Sequence, residues 1–547
     1  MSKYPSFVSI KLPKESADSY YMKKTQHLVD NFIYIDPEWY ERLFDPTTFY
    51  ILGPKGSGKT LYAAYMCADE RRNTLSRCHT ISVDDYGKII AMKENNQLAF
   101  TDYTTIWKVI LLQKFLCGLD ASDIVFWKRD KNFQAIQSTI TSYFGYDVTK
   151  DDFNPVKIID SYDKQAEVTN YLNSELKAGI SVTPSTLSST INGSTNEKIA
   201  EGASVSTEST ASAYTDTWLR SINAFKQTLE KISFRRNHYL FIDGLDVRPP
   251  EIGIKEYGEC IGALIRAVYD LNTNVFGSMN RKDGLEFKII ALTRTDIFLN
   301  SDLVNVTSCI SDNCVELDWT YSNEKDFMYS KLYKMLNRVL GWDGSTYEMP
   351  SQIYLGFKLN GSKKRDISAA MHIQRLSRLR PRDIVVFLRL IQDECRARNI
   401  GNPTPHIITS SNVTNKYSSY YIEQVKSELR FSYSNTEIML MLNLIQTIGY
   451  SHITESDFKK RFERYCCSVP QFRKSFPSHR KLIDLFYTLD VIGWSESQNG
   501  DYAMHWHYRE IKAMDEQHRL PWEKFDYASN AKLVIHYGAL KYITGTS

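Results

Sequence analysis

The sequence has no apolar run approaching the ~18 residues that a membrane-crossing helix needs. Its longest, Ile438-Met-Leu-Met-Leu-Asn-Leu-Ile445, stops far short. The start, Met-Ser-Lys-Tyr-Pro-Ser, lacks the charged and apolar regions of a secretory leader. The expectation is a soluble cytoplasmic protein with no membrane partner. No C-x-x-C pair occurs among the nine cysteines of 547 residues, and Cys466 and Cys467 are adjacent. That spacing suits neither a zinc knuckle nor a disulfide framework, which leaves reduced structural thiols. His505-x-His507 sets two imidazoles on one face of a strand, but no third ligand lies near them in sequence, so no metal site is read there. An excess of one charge is missing too. With 67 basic and 64 acidic residues the net charge is +3, so the chain as a whole is not built to coat a polyanion, and any basic surface is local.

What is present is an ordinary globular composition, with 42% hydrophobic and 24% charged residues. The length predicts two to four domains. Apolar strand signals at 48–52, 80–83, 239–242, 287–292 and 314–318 alternate with helical spacing at 61–72, 102–118, 130–145, 216–231 and 252–272. That alternation predicts a parallel α/β sheet covered on both faces. Between 181 and 212 the chain turns to Ser, Thr, Gly and Asn, which reads as a surface insertion or a functional flap. After about 320 the strand signal fades into helices. Near the end, the apolar stretch 482–494, a polar turn and Tyr502-Ala-Met-His-Trp-His-Tyr508 read as a helix followed by a β-hairpin with Asn499-Gly500 at its tip, the outline of a winged helix.

Gly53-Pro-Lys-Gly-Ser-Gly-Lys-Thr60-Leu61 fits G-x-x-x-x-G-K-[ST] between a predicted strand and a predicted helix. Glycines at 53, 56 and 58 let the loop curl so that successive N–H groups face an anion, and the helix beginning near Lys59 adds its positive dipole end. Pro54, Lys55 and Ser57 complete the loop. Lys59 is the candidate ligand of the β- and γ-phosphates, and the Thr60 hydroxyl is a candidate Mg2+ ligand. A dinucleotide fingerprint is excluded, because Gly56-Ser-Gly58 is not followed by the third glycine.

Tyr239-Leu-Phe-Ile-Asp-Gly-Leu-Asp246 supplies the acids. Asp243, at the end of a buried strand, is the candidate carboxylate for the metal-bound water. Asp246 is the candidate for orienting the attacking water, with a plain turn residue as the alternative. Lys288-Ile-Ile-Ala-Leu-Thr-Arg-Thr-Asp296 ends a further strand in polar groups, which makes Thr293 and Arg294 sensor candidates. Arg378-Leu-Arg-Pro-Arg-Asp383 opens an apolar helix, with proline at its first turn and Arg380 or Arg382 as phosphate sensors from a lid. Their alternative is a solvated basic face. Arg248 is a weaker candidate for a neighbouring subunit's nucleotide.

Residues 459–481 carry Lys459, Lys460, Arg461, Arg464, Arg473, Lys474, Arg480 and Lys481 against Glu463 alone, eight less one or +7, with Phe462, Tyr465, Phe472 and Phe476 between them. Basic flanks on a winged helix suit nucleic acid. They suit a protein partner or packing as well.

In this order the motifs Gly53–Thr60, Phe241-Ile-Asp-Gly-Leu-Asp246, Leu292-Thr-Arg294 and Arg380-Pro-Arg-Asp383 resemble those of prokaryotic P-loop ATPases of the STAND/AAA+ branch, especially stand-alone ATPases with a D-G-L-D acid motif. In outline these are similar to origin-recognition and NACHT-type ATPases. The likeness spans roughly 47–510 in architecture and only short motifs in sequence. It implies ATP bound by Gly56, Gly58, Lys59 and Thr60, Mg2+ held through Thr60 and Asp243, and sensing by Arg294 and Arg382. One departure is Gly244, which stands where ordinary AAA+ proteins carry a second acid, so the role of base shifts to Asp246. A second departure is the 181–212 insertion, which has no counterpart.

The predicted organisation is an N-terminal extension at 1–46, a P-loop NTPase core at 47–320, a helical lid at 321–430 and a winged-helix-like domain at 431–547. The expected function is a slow Mg2+-dependent ATPase switch that controls self-association into a homo-oligomer or contact with a separate effector protein, and the resemblance adds a setting in anti-phage defence. The alternatives are a DNA-binding ATPase of the replication-initiator or repair type and a scaffold for which nucleotide is only a folding cofactor.

Overall fold

The structure is a computed structural model that describes residues 4–13, 34–81, 86, 102–125, 222–359, 367–510 and 519–545, apart from 69–70, 120, 224, 228, 231, 247, 249–251, 302, 304, 322–323, 345–346, 499–500 and 529. The 181–212 stretch, the helical spacing at 130–145 and the Asn499-Gly500 turn lie outside them. The chain divides into two compact units, Glu41–Leu52 with Tyr62–Glu316, and Met1–Tyr40 with Gly53–Leu61 and Leu317–Ser547.

The first unit holds a parallel sheet. Helix α1 (Pro37–Arg42) precedes β1 (Tyr50–Leu52), and α2 (Lys59–Ala68) leads to β2 (Thr74–Thr80). Then come α3 (Asp102–Cys117), β3 (Asn237–Asp243), α4 (Ile254–Asp270), β4 (Phe287–Thr293) and β5 (Cys314–Glu316). The spatial order is β2-β3-β4-β1-β5, with every pairing parallel. Every residue of β1 and β4 is buried, as a strand covered on both faces requires. Tyr50 on β1 donates its hydroxyl to the Ile265 carbonyl of α4 at 2.8 Å, and Trp107 of α3 donates to the Cys260 carbonyl of the same helix at 3.0 Å. The second strand differs from the sequence expectation. It runs over Thr74–Thr80, and of the expected 80–83 the last two residues lie outside the described ones. Leu75 and Arg77 pair with His238 and Leu240 of β3, so the neighbouring strand set the register that the mixed polarity of Thr-Leu-Ser-Arg-Cys-His-Thr concealed.

The second unit is helical and then antiparallel. Its helices are α5 (Lys331–Val339), α6 (Pro350–Leu355), α7 (Ala369–Leu376), α8 (Pro381–Ala397), α9 (Ser411–Leu429) and α10 (Asn435–Gln446). Serine caps are repeated. Ser330, Ser368, Ser410 and Ser434 each accept a main-chain N–H of the first turn, and Glu437 closes a capping box with Ser434. There follow β6 (His452–Ile453), α11 (Glu455–Ser468), α12 (His479–Thr488), β7 (Ile492–Gln498), β8 (Asp501–His505) and β9 (Lys532–Ile535). The strands form one sheet in the order β8-β7-β9-β6. The helix-then-hairpin order of α12, β7 and β8 is the one the sequence outlines.

Residues Met1–Tyr40 group with the second unit. Phe7 is fully buried and packs edge-on against Tyr354 at 5.7 Å. Gln392 of α8 donates to the carbonyls of Phe7 and Ile10 at 2.9 and 2.8 Å. No described helix is long and apolar enough to cross a membrane. None of the eight described cysteines is in a disulfide.

Candidate nucleotide site

The chain leaves the buried strand β1 at Leu52, runs through Gly53–Gly58 and enters α2 at Lys59. Strand, loop and helix thus occur where the motif requires them. Gly56 and Gly58 adopt φ of +87° and +103°, in the left-handed region that favours glycine. A Cβ on Gly56 would lie 3.2 Å from the Cβ of Arg382, whereas beside Gly58 the space is open. The Lys59 ammonium donates to the loop's own carbonyls, Gly53 at 2.9 Å and Pro54 at 3.1 Å, which holds its charge at the curl. Thr60 follows in the first turn of the helix. Ser57 is buried, and its hydroxyl has no hydrogen-bond partner among the described residues.

The same unit grips the loop from outside. Trp319 donates its indole N–H to the Ser57 carbonyl at 2.8 Å and packs edge-on against Trp39 at 5.1 Å. The Arg382 amide donates to the Gly56 carbonyl at 3.3 Å, and Arg380 to the Lys55 carbonyl at 3.3 Å. The Lys55 ammonium reaches Ser427 Oγ at 2.5 Å. Pro381 stands at the first turn of α8, as the sequence predicts, so Arg380 is the residue just before the helix and Arg382 lies within it.

Arg380 is buried. It donates to Glu428 Oε1 at 2.5 Å and lies 3.7 Å from Asp490 Oδ2. Arg378 joins Glu428 at 3.0 Å and Asp383 at 3.5 Å. Burial works against the Arg378 charge, but Glu428 and Asp383 outweigh it and hold the guanidinium's pKa well above the usual arginine range. Burial pushes the Asp490 carboxyl up to about 7, against the pull of Arg380 and Arg378. Trp319, Ser427, Glu428 and Asp490 were not singled out in the sequence. Each lies far from the motifs along the chain, and no spacing rule points to it.

In the sheet unit, β1, β3 and β4 end at one edge. Leu52 is in register with Thr293, and Thr80 with Asp243. Asp243 accepts the Gly244 amide on Oδ1 at 2.8 Å. Gly244 has φ of +88°, and a Cβ there would meet the Ile81 carbonyl at 2.7 Å, so a second acid in that place is sterically refused. Asp246 is half-buried on the following turn. Burial first, and then the Asp246 carboxylate, push the Tyr257 phenol up. The Thr293 hydroxyl is buried with no partner among the described residues. The Arg294 guanidinium forks onto Asp296, at 2.9 Å and 2.5 Å. Arg248 donates to the Ile252 carbonyl at 2.5 Å.

The residues present fit the groups the motif implies. Two orphaned hydroxyls, Ser57 and Thr293, adjoin the motif residues, the loop curls on its glycines, and Thr60 and Asp243 are the hard oxygen donors that Mg2+ prefers. Elsewhere, no group of three His, Cys, Asp or Glu among the described residues is placed to hold a metal. His505 instead stacks on Trp494 at 4.0 Å and meets Glu496 at 3.1 Å.

The basic stretch 459–481 is partly neutralised in place. Arg473 pairs with Glu463, Lys460 with Asp457, and Arg480 with Glu455 and Asp526. Arg461 donates to the Thr447 carbonyl. Lys459, Arg464, Lys474 and Lys481 are exposed and make no ion pair among the described residues.

No protein-family model and no curated protein matches the chain. Among solved structures it is similar to the Aeropyrum pernix ORC2 protein in ADPNP–ADP complexes, with 11% identity over 93% of this chain and 94% of that one and a TM-score of 0.32. It is also similar to a chain of Drosophila ORC bound to DNA, with 9% identity over 98% and 94% and a TM-score of 0.26. At such scores neither neighbour carries an argument about this chain, and the reading below rests on its own residues.

Proposed function

We propose that the chain binds ATP with Mg2+ and hydrolyses it slowly, as a molecular switch of the STAND/AAA+ type. The observation that carries this reading is the glycine-curled loop between β1 and α2, with Lys59 folded over its carbonyls. The main-chain amides of the loop and Lys59 bind the phosphates, and Arg382, whose amide is already bonded to Gly56, is the lid residue that approaches them. Thr60 and, through water, Asp243 would hold the metal, which when bound neutralises charge on the β- and γ-phosphates. Asp246 orients the attacking water, and Thr293 and Arg294 respond to the γ-phosphate. The core is assigned to 47–320, the lid to 321–430 and the winged-helix-like domain to 431–547. The output is a change in self-association or in contact with an effector in the cytoplasm, with anti-phage defence as the setting that the family resemblance suggests.

Lys59→Ala is expected to weaken ATP binding about a hundredfold or more, measured by titration with a fluorescent ATP analogue. Unchanged affinity in that variant overturns the reading. Asp246→Asn should keep ATP binding and slow phosphate release by about a hundredfold.

A second reading, a DNA-binding ATPase, is favoured by the four exposed cations Lys459, Arg464, Lys474 and Lys481. It requires a DNA affinity that falls with salt and is lost when those four charges are reversed. No binding at low salt discards it.

A further inference from the structure

We propose that Arg380, gripped by Glu428 and Asp490, is a positioning residue that sets the phosphate loop by holding the Lys55 carbonyl. The inference rests on the nucleotide reading of the loop and deepens it, because it names what holds the site in shape.

Arg380 is an arginine at the entrance of a lid helix, where a phosphate ligand would be expected. Its donors are directed otherwise. NH1 is shared between Glu428 Oε1 at 2.5 Å and the Lys55 carbonyl at 3.3 Å, and NH2 faces Asp490 Oδ2 at 3.7 Å. The carboxylates come from two distant places, the last turn of α9 and the turn between α12 and β7. Asp490 is fastened to both sides. Its carbonyl accepts the Tyr421 hydroxyl of α9 at 2.6 Å, and its Oδ1 accepts the Tyr508 amide at 3.2 Å. The loop is thereby connected through one guanidinium to α9 and to the C-terminal sheet region.

A second contact runs in parallel, since Lys55 itself donates to Ser427, the neighbour of Glu428. One residue of the loop is thus held at its carbonyl and at its ammonium by consecutive residues of α9 and their partner. Arg378 and Asp383 complete the buried group, and the half-buried Tyr420 donates its hydroxyl to Asp383 Oδ1 at 3.0 Å.

Two features set the arrangement apart from ordinary packing. Buried ion clusters are weak devices for stability, because apolar residues of the same volume pack as well or better. What the charged version adds is a directed bond to a main-chain carbonyl. Backbone strain is also found at both ends of the contact. Leu379, beside Arg380, has φ of +53°, and Asp490 has φ of +59°, conformations that side chains other than glycine rarely adopt without a reason.

The test is amide exchange in the full-length chain without nucleotide. The reporters are the amides of Ser57, Leu61 and Arg382, bonded to Pro54, Gly58 and Gly56 respectively. In Arg380→Ala and in Glu428→Gln these amides should exchange about tenfold faster or more, while those of β7, β8 and β9 keep their protection. The effect of the two changes together should be less than the sum of each alone. Arg380→Lys keeps the charge and one donor, and should restore part of the protection. Should Arg380→Ala fail to fold, Arg380→Met with Glu428→Gln removes both partners and takes its place. Unchanged exchange at the loop overturns the proposal. So does an increase spread evenly through the unit, which marks a purely structural role. Titration with the ATP analogue gives the second readout. Affinity about tenfold weaker in the variants is expected, and loosened amides with unchanged affinity also overturn the positioning role. If the wild-type chain binds no ATP, the nucleotide reading falls, and the exchange result alone decides the clamp.

Discussion

Gly56 has two reasons to be glycine, its φ of +87° and the Arg382 side chain 3.2 Å from where a Cβ would stand. Gly56→Ala is therefore expected to destabilise the second unit by about 1–2 kcal/mol, read from denaturant midpoints, and to weaken ATP binding alongside. Asp490 poses the complementary question at the level of charge. Facing it are Arg378 and Arg380, Glu428 and the Tyr421 phenol, and burial leaves its carboxyl at about 7. Two guanidiniums stand against three carboxyl groups in this cluster, so protonated Asp490 gives a balanced set of two and two. Its folded pKa lies above the ordinary carboxylate value, and the folded chain therefore holds the proton more tightly than the unfolded one. The stability that this confers is complete below about pH 4 and is lost as pH rises through about 7. Asp490→Asn tolerates the same left-handed backbone and removes the titration. Its stability relative to wild type should improve by up to roughly 1.4 kcal/mol per pH unit between pH 4 and 7. A difference flat with pH in thermal melts would show that another group titrates.

At the scale of elements, some segments carry their instructions locally and others do not. Pro381 starts α8 where its fixed φ suits a first turn, and Ser434 with Glu437 starts α10. Both are legible from sequence. Strand β2 is not, because its alternation is broken by Arg77 and His79 and only pairing with β3 defines it. Nor is the role of Trp319, three residues beyond the end of β5, which braces the loop through the Ser57 carbonyl. Trp319→Phe keeps most of the apolar volume and removes the donor. It should lower stability by about 1–2 kcal/mol, measured by chemical denaturation, and loosen the Ser57 region in amide exchange. The same scale explains the basic stretch. A charge tally of eight less one becomes a mixed surface once Glu463, Glu455 and Asp457 of α11, and Asp526 of the helix Trp522–Tyr527, meet their arginines and lysines.

For the whole molecule, strand order and chain order part company. β1 is first in the chain but lies between β4 and β5, so that Leu52, Thr293 and Asp243 all finish strands of one parallel sheet at the same edge. The second unit gathers Gly53–Leu61 with Leu317–Ser547 and the N-terminal residues. Within it Phe7 and Gln392, 385 positions apart in sequence, share a buried hydrogen bond. Phe7→Ala should cost about 3–5 kcal/mol through the cavity it leaves against Tyr354, a shift visible in the thermal midpoint. Little loss would mean that the segment contributes no packing.

The sequence by itself determined the glycine loop 53–58, the strand that precedes it, the strands that carry Asp243 and Thr293, and the proline start of α8. Those features depend on residues within a few positions of one another, where steric and hydrogen-bonding rules act directly. Only the tertiary structure decided which charges meet. Arg380 and Glu428 are separated by 48 positions, and Asp490 lies farther still. Their encounter depends on how whole helices pack, and burial of the group turned an arginine that sequence presents as a phosphate ligand into one bonded to carboxylates and to the loop's own backbone.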